Sequence, residues 1–142
     1  MTRIDFYFNV PHLHQQVAML GGKAVAKGRC VFVLTPDVAA TQILETILWS
    51  QPPTGFLPHC RSNDKLAPET PVVLDWKGNN LPHDDILINL QPETPPCFSR
   101  FHRLIELVGL GNAEREAART RFRFYRDRGY EVRTVDVTRE IS

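Results

Sequence analysis

The chain has no apolar run approaching the roughly 20 residues that a membrane-spanning helix needs. Its first ten residues, MTRIDFYFNV, lack the zones of a secretory leader. A cytoplasmic protein without membrane contact is therefore expected. Cysteine is scarce: Cys30, Cys60 and Cys97 are odd in number and far apart, which suits a reducing compartment better than a disulfide scaffold. Net charge is almost absent, at +1. Lysine is scarce as well, with 4 residues against 13 arginines. Arginine is the better donor where a planar carboxylate or phosphate must be held at two points. There is no GxxxxGK[ST] phosphate cradle and no GxGxxG after the first strand; residues 9–15 contain no glycine at all. No serine sits in a nucleophile-elbow context. His12 and His14 are two apart, nearly opposite on a helix, and cannot share a metal. These absences predict a non-enzyme that needs no cofactor and no metal.

What is present is ordinary for a globular chain: 142 residues, 42% hydrophobic and 23% charged, predicting a single domain over 1–142. Arg3 to Asn9 alternates Ile4, Phe6 and Phe8 with Asp5, Tyr7 and Asn9, the period of a strand. A helix from near Pro11 through Lys27 follows, with Asn9 or Val10 near its cap, Gly28 as its stop, and a kink or close packing at Gly21-Gly22. Cys30 to Leu34 reads as a strand buried on both faces, and Thr35-Pro36 as the cap and first position of a helix ending near Trp49. Residues 51–59, QPPTGFLPH, break regular structure. Pro71 to Trp76 and Ile86 to Leu90 are further strands. Residues 98–108 fit helix or strand, with a strand from about Arg103 favoured. An arginine-rich helix capped by Asn112 and stopped by Gly129 precedes a last strand, Tyr130 to Val137. This order predicts a three-layer α/β/α fold with a largely parallel, mixed sheet, laid out like a nucleotide-binding fold but without the nucleotide site.

The charge is concentrated in Arg115 to Arg128, where six arginines face Glu116 and Asp127. At about 100° per residue, Arg115, Arg119, Arg123 and Arg126 form one stripe about 80° wide, with Phe122 at its border. Ala118, Phe122 and Tyr125 make the docking face. Like charges at i,i+4 repel, which suggests an acidic partner. Charge alone leaves a solvated arginine face equally open. His83-Asp84-Asp85 has the chemistry of a cation site or general base, although an exposed turn explains it as well. Trp49, Phe56 and Leu57 are either core edge or a hydrophobic pocket beside the arginines. Such a pocket would suit an acidic peptide ending in an aromatic residue.

Several segments together carry a resemblance: the FYF strand at Phe6 to Phe8, LWSQPPTGFLPH at 48–59, PVVLDW at 71–76, DILINL at 85–90 and AARTRFRFYRDRGY at 117–130. In that order and spacing the chain resembles the chi subunit of bacterial DNA polymerase III, the accessory protein of the clamp-loader assembly. The resemblance implies an α/β domain without catalytic activity. It also implies a psi-subunit partner, linking the chain to the clamp loader, and an acidic ligand: the C-terminal tail of single-stranded-DNA-binding protein, an aspartate run ending in Pro-Phe. Single-stranded DNA would be reached only indirectly. The family's basic tail-binding positions fall on Arg115, Arg119 and Arg123, and its apolar ones on Trp49, Phe56 and Phe122. Arg115 and Arg123 replace lysines, and Phe122 replaces a tyrosine. For psi, the stretch Pro95 to Phe101 is the candidate surface. The rival reading is a module that contacts nucleic acid directly through the Arg115–Arg128 helix.

Overall fold

Three four-residue runs, VFVL, VVLD and ILIN, have every side chain buried. A strand apolar on both faces needs cover on both, and that is the condition of a parallel sheet between helical layers. The computed structural model, which describes residues 1–50, 58–77 and 81–140, has this arrangement. In chain order it contains β1 (Arg3–Phe8), α1 (Leu13–Ala26), β2 (Val31–Leu34), α2 (Val38–Ser50), β3 (His59–Arg61), β4 (Val72–Asp75), β5 (Ile86–Asn89), β6 (Arg103–Leu107), α3 (Asn112–Asp127), β7 (Val132–Asp136) and a single turn, α4 (Val137–Glu140). The sheet order is β3-β4-β2-β5-β6-β1-β7. Every pairing among the described residues is parallel, more uniform than the largely parallel, mixed sheet expected.

The crossovers decide the layers. The chain leaves β1 and β2 in one direction across the sheet and leaves β6 in the other. Right-handed connections therefore put α1 and α2 on one face and α3 on the opposite one. Val17, Leu44 and Leu48 pack with Val33, Leu74 and Ile88 on the first face. Ala118 and Tyr125 pack with Ile4, Phe6, Phe32 and Leu104 on the second. The alternation of β1 sends Phe6 and Phe8 toward α3 and Tyr7 toward α1.

Some local expectations shift. Asp37, not Thr35, caps α2: its carboxylate accepts from the Ala40 N–H at 2.8 Å, while Thr35 is buried against Thr41. Helix α1 starts after His12 rather than at Pro11, and it continues through Gly21-Gly22. Gly28, at φ +75°, ends it as predicted. The short edge strand β3 falls where the sequence suggested only irregular chain. Its three residues are each half-buried and show no alternation.

Helix α3 is fixed to the sheet by a buried polar cluster. Glu106 of β6 has no solvent exposure. Its carboxylate accepts from Tyr125 Oη at 2.6 Å and from Asn89 Nδ2 at 2.9 Å. Arg121 Nε lies 3.1 Å from the same carboxylate, and Arg121 also donates to the Pro92 carbonyl at 2.6 Å. Burial pushes the Glu106 carboxyl above its ordinary range, while Arg121, Tyr125 and Asn89 pull it back. Burial and the neighbouring carboxylate raise the Tyr125 hydroxyl. Replacing Glu106 by Gln leaves a buried guanidinium without its counter-charge, which costs about 3 to 5 kcal/mol. Urea unfolding of Glu106→Gln is expected to show that loss as a lowered midpoint at unchanged slope.

Candidate functional site

Helix α3 begins and ends on backbone devices. Gly111 is its N-cap, one residue before the expected Asn112, and Glu114 reaches back to accept from the Gly109 N–H at 3.0 Å. At the other end Gly129, at φ +84°, allows Gly129 N–H to bond Arg126 and Tyr130 N–H to bond Tyr125, the paired closure of a Schellman stop. Between these ends Ala118, Arg121 and Tyr125 are buried. With those three inward, Arg115, Arg119, Arg123 and Arg126 are all exposed.

The stripe borders a pocket of about 340 Å³ between α3 and the ends of β1, β6 and β7. Phe6 and Phe8 of β1, Val108 after β6, and Ala118 and Phe122 of α3 supply its apolar wall. The Phe122 ring lies 5.5 Å from that of Phe6. Asn9, Thr134, Arg115 and Arg119 make the polar rim. Arg115 donates to Asn9 Oδ1 at 3.1 Å, and Asn9 Nδ2 donates to Asp136 at 3.3 Å. Arg119 holds Glu116 at 2.7 Å, but both side chains are about two-thirds exposed. Such a pair contributes little and exchanges readily for an incoming carboxylate. Arg123 lies one turn further on, its Nε 3.4 Å from the Arg119 carbonyl.

Of the residues expected in the site, Arg115, Arg119 and Phe122 line this pocket and Arg123 extends its charged side. Trp49 does not line it. That residue ends α2, on the opposite face of the sheet, 64% exposed and edge-on to His59 at 6.0 Å. Phe56 lies outside the described residues. A cleft shared by Trp49 and the arginines is thus replaced by a pocket whose aromatic wall comes from β1. The sequence carried half of that signal, the Phe6/Phe8 alternation, but not which helix covers them. Asn9 was missed; its φ of 59° leaves no trace in the pattern beyond the tolerance of asparagine for that conformation.

The other candidates are structural. Asp85 accepts from the Cys30 N–H at 3.2 Å and lies 3.5 Å from Arg29, and His83 bonds the Thr70 carbonyl at 2.7 Å. Among the described residues no three His, Cys, Asp or Glu side chains group as metal ligands. No described helix is long and apolar enough to cross a membrane. In the stretch 95–101 the rings of Phe98 and Phe101 are 7% and 2% exposed, sunk in the α3-side core. That burial removes them as a docking surface.

The family model for the DNA polymerase III chi subunit, HolC, matches residues 1–133. The chain belongs to the chi subunit family. It is 40% identical to the DNA polymerase III subunit chi of Pseudomonas aeruginosa over 134 residues, 92% of this chain and 93% of that protein. It is 32% identical to the chi subunit of Haemophilus influenzae over 78% of this chain and 77% of the relative. The chi subunit of Escherichia coli K12 is 24% identical over 86% and 84%. Membership makes the chain an accessory subunit of the replicative polymerase. The chi-family match takes in all of α3 and all of the pocket except Thr134.

The left-handed backbone at Asn9 gives a check on the pocket rim. Alanine there pays about 1–2 kcal/mol for that conformation, whereas glycine adopts it freely. Asn9→Ala is expected to unfold earlier in urea than Asn9→Gly, although both lose the same side-chain bonds.

Proposed function

We propose that the chain is a non-catalytic adaptor whose arginine-helix pocket takes the acidic C-terminal tail of single-stranded-DNA-binding protein. The observation that carries this reading is the juxtaposition itself: an apolar, aromatic-walled pocket with Arg115 and Arg119 on its rim and Arg123 one turn away. The tail's terminal phenylalanine fits against Phe6, Phe8 and Phe122. Its terminal carboxylate and preceding aspartates pair with the guanidiniums. Charge speeds encounter and makes it salt-sensitive; the pocket supplies specificity.

A second partner, the psi subunit, would carry the chain to the clamp loader. The Trp49 end of α2 is the surface that supports this role. Trp49 is 64% exposed, and an exposed tryptophan is a common anchor of protein interfaces. Lying on the face opposite α3, it leaves the tail pocket free, so both partners can be held together. Trp49→Ala is expected to release psi and to retain the tail.

A synthetic tail peptide is expected to bind in the micromolar range, about 8 kcal/mol, by calorimetry. Deleting its last phenylalanine should abolish binding; equal affinity for the truncated peptide would sink the pocket. Arg119→Ala should weaken binding and flatten its salt dependence, and Phe122→Ala should weaken it with the salt dependence intact.

A further inference from the structure

A second basic site lies on the face of the sheet opposite the arginine helix, at the other end of the strands. A pocket of about 630 Å³ opens there between α1 and the beginnings of β1, β2, β5 and β6. Its floor is apolar, made by Val31, Ile86, Ile88 and Ile105. Five cations from four segments of the chain stand around it: Arg3, Lys23, Lys27, Arg29 and Arg103. Their charge is under-compensated. The buried Asp5 carboxylate is shared by Arg103 at 2.7 Å, Arg133 at 3.3 Å and Arg3 at 3.7 Å. Arg29 reaches Asp85 only at 3.5 Å. Lys23 and Lys27 are exposed and make no ion pair with any described residue. They stand four residues apart, in the last turn of α1 and at its C-cap, where like charges repel.

A separate feature points to a ligand. Gln16, only 7% exposed, also lines this pocket, and its side-chain amide makes no hydrogen bond to a described residue. Held in place by the burial of its stem and free of partners among the described residues, this amide is available to a group that enters the cavity. Tyr7, half-buried, stands in the same wall.

We propose that this pocket binds single-stranded nucleic acid directly, seating one nucleotide with its base on the apolar floor beside Tyr7 and Gln16. Lys23, Lys27, Arg3 and Arg29 take the flanking phosphates. Alternating flat rings and negative charges match an apolar floor ringed by cations, as in other single-strand binders. The amide supplies both a donor and an acceptor for a base edge. The cavity size suits a nucleotide-sized group. An acidic peptide would match the rim but leave the floor and the amide unused.

The test is fluorescence anisotropy with a labelled oligothymidylate of about 12 nucleotides, titrated with the full chain at low salt. Binding is expected, and Lys23→Glu with Lys27→Glu should weaken it about tenfold or more. The milder pair Lys23→Gln with Lys27→Gln should reduce the log–log salt slope by about 1.4. Gln16→Leu should weaken binding at unchanged slope. Arg119→Glu, on the other face, should leave it unaltered while abolishing capture of the tail peptide, so the two sites fail independently. The proposal is overturned if the unmodified chain does not bind the oligonucleotide at low salt, or if binding responds to Arg119→Glu and not to the lysine variants. It is equally overturned if an aspartate-rich peptide of matched charge displaces the oligonucleotide at equal concentration.

Discussion

The ion pair between Glu106 and Arg121 is the constraint on which the rest of the α3 face depends. A carboxylate with no solvent exposure, in the middle of a parallel sheet, is tolerable only when its oxygens are all engaged. Arg121, Tyr125 and Asn89 do this, and two of the three come from α3. The pairing therefore sets both the rotation of the helix about its axis and its position along β6. With Arg121 and Tyr125 turned inward, the helical repeat leaves Arg115, Arg119 and Arg123 no direction but outward. Phe122 is then brought over Phe6, and a basic rim forms beside an aromatic wall.

The same cluster extends into the loop that follows β5. Asn89, at the end of β5, binds the Glu93 carbonyl as well as Glu106, and Gln91 donates to the carbonyls of Thr35 and Trp76. These bonds tie the ends of β2, β4 and β5 together through the chain's own side chains. The fold supplies a platform with a pocket on each face. Right-handed crossovers assign α1 with α2 to one face and α3 to the other. That separation keeps the Trp49 end of α2 and the basic pocket beside α1 apart from the arginine pocket.

The strands and helices were readable because their patterns are strong and local. Continuous apolar runs gave β2, β4 and β5, alternation gave β1, and residues recurring at helical spacing before a glycine stop gave α1 and α3. Thr35 was misread as a cap because Asp37, two residues later, offers the same chemistry and reaches the Ala40 N–H. The edge strand β3 escaped because three half-buried residues carry no periodicity. Within the site, the arginine stripe and Phe122 were legible as helix geometry. Asn9 was not, and the pairing of the stripe with Trp49 did not hold. Proximity between elements far apart in sequence follows from crossover direction, and no residue pattern encodes that by itself.

By itself, then, the sequence determined most of the elements, the parallel-sheet class, the absence of catalytic and nucleotide motifs, and the gathering of arginine onto one helical stripe. These are properties of spacing over a few turns. Tertiary structure alone decided which arginine is sacrificed to the core, which rings face the remaining ones, and which residues lie on the far side of the sheet. The reason is that burial of Glu106 and the handedness of the connections act over the whole sheet, on residues dozens of positions apart. The sequence supplied the charges, and packing determined what stands beside them.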